Sequence, residues 1–401
     1  MDCASVFTTL TALRKICFFI AIWNICKVLA KKYTELSTKN MRILHIDTEK
    51  GFRGGEQQLL WLAEGLKRKG IMTAVATVND KLLQRCNQKK IETHLLSGNQ
   101  ILDCIKLSKI AKGYDIIHAH AAKAHTISAI AKLFNKKPLI YTRRVDYKPS
   151  SDPITKFKYL SSDRVVCVSN AVKEVIKNYV SVNEKQLTVI HSTTNPEIEN
   201  NLNYEKISQI KKRFKGKFII GSAAALSEQK NIPNFIKAAH ILKNRIKNAV
   251  FLVAGDGHLK SKLQRMINQK DLSDDFFLVG FKKDIENYIK AFDIFILSSD
   301  FEGFSGSLLN AMILRTPVIS TDAGGAKEVI INNKTGILIP KRNPKVLAES
   351  IFHLYSNASL REHLRENAYK VVKEKFSAEK MVEKYIIVYE GMLKNKDKLL
   401  S

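Results

Sequence analysis

From Met41 onward the chain alternates short apolar runs with amphipathic stretches, and it does so in two successive series. Strand patterns fall at 42–47, 71–78, 92–96, 115–118, 138–142, 164–168 and 187–190. Helical patterns such as 55–69 (GEQQLLWLAEGLKRK), 122–134 and 170–179 lie between them. Strands separated by helices must be joined by crossovers, which predicts a parallel, doubly wound sheet with helices on both faces. Residues 192–216 are polar and lack a strand pattern, which reads as a linker with a short helix. The second series has strands at 217–223, 250–254, 276–279, 293–297 and 317–320, and helices at 232–246, 258–269 and 306–315. Beyond about Ala378 the tail is one long helical pattern.

A chain of 401 residues suits two cores rather than one. The expected architecture is therefore α/β: two Rossmann-like, doubly wound parallel-sheet domains at 41–195 and 217–375, joined by a linker at 196–216. The C-terminal helix, 376–401, is expected to pack back on the first domain. Ligands of open α/β sheets bind beyond the carboxyl ends of the strands, so the chemistry belongs in the cleft between the domains.

Lysine plus arginine outnumber aspartate plus glutamate 66 to 38, a formal charge of +28. That balance suits an anionic partner: nucleic acid, an acidic membrane surface or a phosphorylated substrate. The lysines are spread along the whole chain, so a merely solvated basic surface is also open. No recognition helix, stacking aromatics or clustered basic arm speaks for nucleic acid. The six cysteines (Cys3, Cys17, Cys26, Cys86, Cys104, Cys167) form no CxxC pair, and several sit in apolar runs, as fits a reducing compartment. The run Ile16–Ala30 (ICFFIAIWNICKVLA) is interrupted by Lys27 and is short for a membrane span. Residues 1–40 read either as a basic, membrane-surface anchor or as an upstream extension of a domain that starts at Met41.

Four segments carry the chemistry. In 293–325 (DIFILSSDFEGFSGSLLNAMILRTPVISTDAGG) a buried strand runs into Glu302 and then a Gly/Ser-rich turn that opens a helix. Free amides at such a start suit a phosphate, and Glu302 at the rim suits sugar hydroxyls; a helix simply capped by Ser305 or Ser307 explains the same residues. In GSAAALSEQKN (221–231) Lys230 stands just before a helix, where the dipole disfavours a cation unless an anion lies between. In GFRGGEQQ (51–58) Gly54 and Gly55 permit close approach to the backbone. DIIHAHAAKAH (115–125) puts His118, His120 and His125 at or just after a strand end. The HxH spacing can ligate a metal, but no carboxylate or cysteine completes a set nearby. A cleft-facing hydrogen-bonding role is expected for His120, and burial in the sheet for His118.

Taken in order, these motifs resemble the GT4 family of retaining glycosyltransferases over about 41–375. GDGHLKSKL (255–263) looks like the family's GxG turn and EGFSGSLLNAM (302–312) like its E-x7-E segment, followed by STDAGGAKEVI and NKTGILIP. LHIDTEKGFRGGE, HAHAAKAH, YTRRVD and VVCVSNAV resemble the branch that acts in bacterial lipopolysaccharide-core and capsule assembly. The resemblance implies the two-domain GT-B fold and a nucleotide-sugar donor, a UDP-sugar by preference. It implies a glycan or lipid-linked acceptor and no bound metal or cofactor.

Carried over by residue, it implies that Lys230 contacts the donor diphosphate and Glu302 the transferred sugar. The amides of Phe304, Ser305, Gly306, Ser307 and Leu308 would serve phosphates and sugar, with Gly255 and Gly257 on the donor side. Gly54 and Gly55 would face the donor phosphate across the cleft, and His120 the anomeric carbon. His125, Arg143 and Arg144 would face the acceptor. Two positions depart from the pattern: Ala225 stands where an arginine is common, and Asn310 where a second glutamate grips the ribose. Diphosphate stabilisation then rests more on Lys230 and the helix start, and nucleotide binding should be weaker.

A cytoplasmic enzyme peripheral to the inner face of the bacterial membrane follows from the basic surface and a lipid-linked acceptor. The alternatives are a degenerate scaffold of the same fold, motivated by Ala225 and Asn310, a sugar-nucleotide epimerase, and a basic nucleic-acid binder.

Overall fold

The computed structural model describes residues 41–400. The expected N-terminal extension, with Cys3, Cys17 and Cys26, lies outside them. Strands β1 (Arg42–Asp47), β2 (Met72–Thr77), β3 (Glu92–Leu95), β4 (Ile116–Ala119), β5 (Leu139–Arg143), β6 (Arg164–Cys167) and β7 (Leu187–Val189) form one sheet. Its order is β3-β2-β1-β4-β5-β6-β7, and every pairing is parallel. Strands β8 (Phe218–Ala223), β9 (Ala249–Ala254), β10 (Phe276–Gly280), β11 (Ile294–Leu297), β12 (Val318–Thr321) and β13 (Ile337–Ile339) form the second sheet. That sheet is also parallel, in the order β10-β9-β8-β11-β12-β13.

Helices cover both faces of each sheet, so the central strands are buried on both sides and read as unbroken apolar runs. Ile43, Leu44 and Ile46 of β1, and all four residues of β11, are buried. His45 and Asp47 are the buried polar residues of β1. Strand β13 was not among the expected strands. Three residues are too few to show a period, and its pairing with β12, from Ile319 beside Ile337 to Thr321 beside Ile339, defines it.

The polar stretch between the sheets is less of a free linker than its composition suggests. Asn203 caps the helix Tyr204–Arg213 by accepting from the Lys206 amide at 2.9 Å. Ile207 and Ile210 are buried, and the helix packs against the helix Ile285–Ala291 of the second unit. The chain crosses back beside its first crossing: Thr193 Oγ1 donates to the Phe376 carbonyl at 2.8 Å. The final helix, Ala378–Leu400, then packs on the helix Gly54–Arg68 of the first unit. Gly65 is required there, because a Cβ would overlap the Val382 side chain. Tyr385 and Tyr389 of that final helix are fully buried in the first unit. Among the described residues no helix is long and apolar enough to cross a membrane.

Candidate active site

The carboxyl ends of β8 and β11 bring Lys230 and Glu302 together, with Lys230 Nζ 2.6 Å from Glu302 Oε2. The loops that carry them are zipped along their length. The Asp300 amide donates to the Gln229 carbonyl at 2.9 Å, and Ser298 Oγ donates to the Lys230 carbonyl at 2.9 Å. Asn231 turns the chain at φ 42°, a left-handed conformation that asparagine tolerates. Its side chain donates to Asp300 at 2.9 Å, and Arg342 holds the other oxygen of Asp300 at 2.8 Å.

After Glu302, Ser305 caps the helix Gly306–Ile313 by accepting from the Leu308 amide at 3.4 Å, with Ser307 Oγ 3.3 Å away. The cap and a phosphate-facing first turn are compatible, since a cap satisfies only part of the orphan amides. Phe304 and Leu308 put their side chains into the core, Phe304 against His191 and Phe376. Only their backbone is left for the cleft, as amide donors require. Gly255 and Gly257 serve the neighbouring turn, where a Cβ on either would overlap the Ala224 or Leu226 carbonyl. Ala225 is exposed in that loop, and Asn310 is half-buried on the helix.

Opposite stands the end of the first sheet. The register of β1 on β4 sets His45 beside His118, and His120 follows directly after β4. His120 Nε2 lies 3.0 Å from His45 Nδ1, and its Nδ1 lies 3.2 Å from Arg144 Nη2. A guanidinium only donates, so His120 Nδ1 accepts and its proton sits on Nε2, pointing at His45. Nδ1 of His45 must then accept, which puts its proton on Nε2, a buried atom with no partner. His118 is fixed from both sides, by Tyr389 OH at 2.8 Å and Thr142 Oγ1 at 2.7 Å. The final helix therefore holds the floor of the site.

Burial, and then the neighbouring imidazoles and Arg144, hold His118 and His120 well below the usual imidazole range. Burial and Arg144 bring His45 down to about 3. The three rings lie close enough to surround a cation. However, five of their six nitrogens have hydrogen-bond partners, and a guanidinium stands beside them. An ion would have to displace those bonds.

Arg144 links the two halves. Its side chain passes 3.6 Å from where a Cβ of Gly55 would stand, and its carbonyl closes on Gly303 so tightly that a Cβ there would overlap it. Asp146 Oδ2 accepts from the Glu302 amide at 2.9 Å. Gly324, at φ 53°, lies against the Glu302 carbonyl. Glu328 accepts from the Asn170 and Ala171 amides of the first unit and from His191 Nε2 at 2.8 Å. Burial opposes ionisation of Glu328, but these donors hold it below the ordinary carboxylate value.

Two expected acceptor-side residues do not face the cleft. His125 is fully buried and stacked on Tyr141 at 3.9 Å, its Nε2 bonded to the Lys158 carbonyl at 2.8 Å. One helical turn past His120, it points into the core. Arg143 is also buried, donating to Tyr159 OH at 2.9 Å and to the Tyr147 carbonyl. At the end of a strand neighbouring side chains alternate, so Arg144 alone reaches the cleft. His45, Asp47, Asp146 and Glu328 had no expected role. Burial, then Glu56 and Glu49, push Asp47 up to about 7 despite the Glu49 amide, which donates to it at 2.9 Å, and Arg144. Beside the first-unit residues a cavity of about 330 Å³ is lined by Lys50, Arg53 and Lys123 with Glu49 and Glu56.

Two parallel sheets whose strand ends face one cleft, with this constellation across it, define a GT-B architecture. Residues 52–198 match the family described as Glycosyltransferase Family 4, and residues 203–371 that described as Glycosyl transferases group 1. An uncharacterized glycosyltransferase of Methanocaldococcus jannaschii, MJ1178, is 30% identical over 318 residues, spanning 75% of this chain and 83% of that one. The UDP-Gal:alpha-D-GlcNAc-diphosphoundecaprenol alpha-1,3-galactosyltransferase of Escherichia coli is 26% identical over 314 residues, spanning 74% of this chain and 80% of that one. The structure of Anabaena Alr3699/HepE in complex with UDP superposes with a TM-score of 0.78 at 20% identity, covering 88% of this chain and all of that one. The chain belongs to the glycosyltransferases.

Proposed function

We propose that the enzyme transfers a sugar from a UDP-sugar to a glycan or lipid-linked glycan acceptor, with retention at the anomeric carbon and without a resident metal, in lipopolysaccharide or capsule assembly. The observation that carries this reading is the Lys230–Glu302 pair at the second unit's strand ends, facing Arg144 and His120. The UDP complex of HepE and the UDP-galactose named for the Escherichia coli relative support a uridine donor. The same relative's diphosphoundecaprenol acceptor supports a lipid-linked one.

In this reading Lys230 and the first-turn amides before Leu308 receive the charge that builds on the diphosphate as the anomeric bond breaks. Preorganised donors of that kind are worth roughly 2.7–4 kcal/mol each. Glu302 holds the sugar hydroxyls, and the neutral His120, held between His45 and Arg144, lines the cleft near the reacting carbon. Arg144 stands at the acceptor side with a charge that cannot be titrated away. A lipid-linked acceptor places the enzyme at the inner membrane face. The test is UDP release from UDP-glucose, UDP-galactose and UDP-N-acetylglucosamine in the presence of lipid-linked acceptor, with the product's anomeric configuration read by NMR. Release from one of these with retained configuration is expected. Turnover of GDP-mannose alone, or an inverted product, would contradict the reading.

A further inference from the structure

The helix Gln100–Ile110 and its neighbour Ala122–Asn135 cover one face of the first sheet. A surface helix ordinarily turns polar residues outward. Here Ile101, Leu102 and Ile105 of the first helix and Ile130, Leu133 and Phe134 of the second point out, with Ile101 73% and Phe134 74% exposed. Cys104 Sγ meets the Ile127 carbonyl at 3.8 Å, which aligns the helices so that Ile105 and Ile130 stand within one turn, about 5 Å along the axis. The six exposed side chains thus run along one flank of the first unit, from the start of one helix to the end of the other, and exposed apolar surface of that kind marks an interaction site.

The exposed charges on the two helices themselves have one sign. Lys106, Lys109, Lys123 and Lys136 are exposed along them. The second helix contains no acid at all, and the only acid of the first, Asp103, is buried and accepts from the Ser97 and Gly98 amides. A second copy seated face to face would set lysines against lysines, since a two-fold contact uses the same patch on both subunits. An anionic lipid surface meets both features, with apolar tips entering the headgroup boundary and lysines on the phosphates.

We propose that the outer faces of Gln100–Ile110 and Ala122–Asn135 form the membrane-docking surface of this enzyme, selective for anionic lipid. Ile101 and Leu102 lie in the first turn of their helix, at the carboxyl end of the sheet, so docking brings that edge toward the headgroups, where a lipid-linked acceptor presents its glycan. The purpose of the surface rests on the acceptor reading above, but its existence is testable without any sugar chemistry.

The experiment is sedimentation of the full chain with vesicles of phosphatidylcholine alone, and of phosphatidylcholine with about 30% phosphatidylglycerol. Wild type is compared with Ile105→Ser/Phe134→Ser and with Lys106→Glu/Lys109→Glu. Affinity for the anionic vesicles should fall about tenfold or more in both variants, and wild type should bind the neutral vesicles weakly. Thermal stability and UDP affinity should stay at the wild-type level. Variants that bind anionic vesicles as wild type does would overturn the proposal and assign lipid binding to another segment such as 1–40. Variants that change self-association or capture of a protein partner but not vesicle binding would overturn it as well. A failure to bind UDP would instead count against the transferase site.

Discussion

Lys230 Nζ stands 2.6 Å from Glu302 Oε2, although the two residues are 72 apart in the chain and each is fixed by its own loop. The cation proposed for a diphosphate and the carboxylate proposed for a sugar therefore neutralise each other when neither ligand is bound. Both side chains are mostly buried, and removing one partner of such a pair leaves the other uncompensated. A donor that carries both a diphosphate and a sugar replaces one internal contact with two external ones.

The pair predicts an asymmetry for Glu302→Gln. The amide keeps the shape and can still hydrogen-bond a hydroxyl, while Lys230 is released from its carboxylate. UDP should bind at least as tightly as to wild type, whereas kcat should fall on the order of 100-fold for loss of a charged contact to the reacting sugar. Calorimetry and steady-state rates on the same preparation check both halves.

His45 is fully buried behind His120, so in the proposed mechanism it is a positioning residue. His45→Ala removes the partner of the His120 Nε2 proton and leaves that donor unpaired in a buried site. We expect kcat to drop roughly 10–100-fold with little change in donor KM, as displacement of a reacting group does. Partial rescue by His45→Gln, which restores an acceptor, would separate this role from loss of packing.

Asp47 gives a pH signature. Its folded-state value is pushed up to about 7 from an ordinary 3.8, so the fold favours the neutral acid. Its contribution to stability is full below about 3.8 and is lost as pH rises through about 7. Asp47→Asn keeps the oxygen that accepts the Glu49 amide and cannot ionise. It should raise Tm by about 2 °C or more at pH 8 and leave it unchanged near pH 4. The three depressed histidines act in the opposite sense, with stability full above about 6.5 and lost on acidification below it. That part should persist in the variant.

The glycines at the cleft divide by what surrounds them. Gly303→Ala would drive a Cβ into the Arg144 carbonyl and force the two units apart, so both stability and donor turnover should suffer. Gly54→Ala meets no atom within 4 Å and should leave Tm nearly unchanged. Thermal melts of the two variants, side by side, read the difference.

Much of this was legible in the sequence because parallel strands buried on both faces have to be apolar runs. Most of the twelve expected strands stood out in that way, although the edge strand β3 is largely polar, and only β13, three residues long, escaped. Lys230 stood out because a lysine before a helix conflicts with the dipole, and Glu302 because it stands at the rim between a buried strand and a Gly/Ser-rich helix start. Arg143 and Arg144 are adjacent and chemically identical, and only the strand's alternation sends one inward and the other to the cleft. His125 shares its motif with His120, yet a helical turn carries it into the core. His45 was hidden because its partner is 75 residues away and meets it only through strand register. Asp146 and Glu328 bind backbone amides of the other unit, a kind of contact that leaves no local pattern.

The most direct test of the donor site is calorimetric titration of the purified protein with UDP, beside Lys230→Ala. Saturable binding to wild type that weakens at least tenfold in the variant is the predicted result. Absence of UDP binding, or equal affinity in both proteins, would contradict the assignment of Lys230 to the diphosphate.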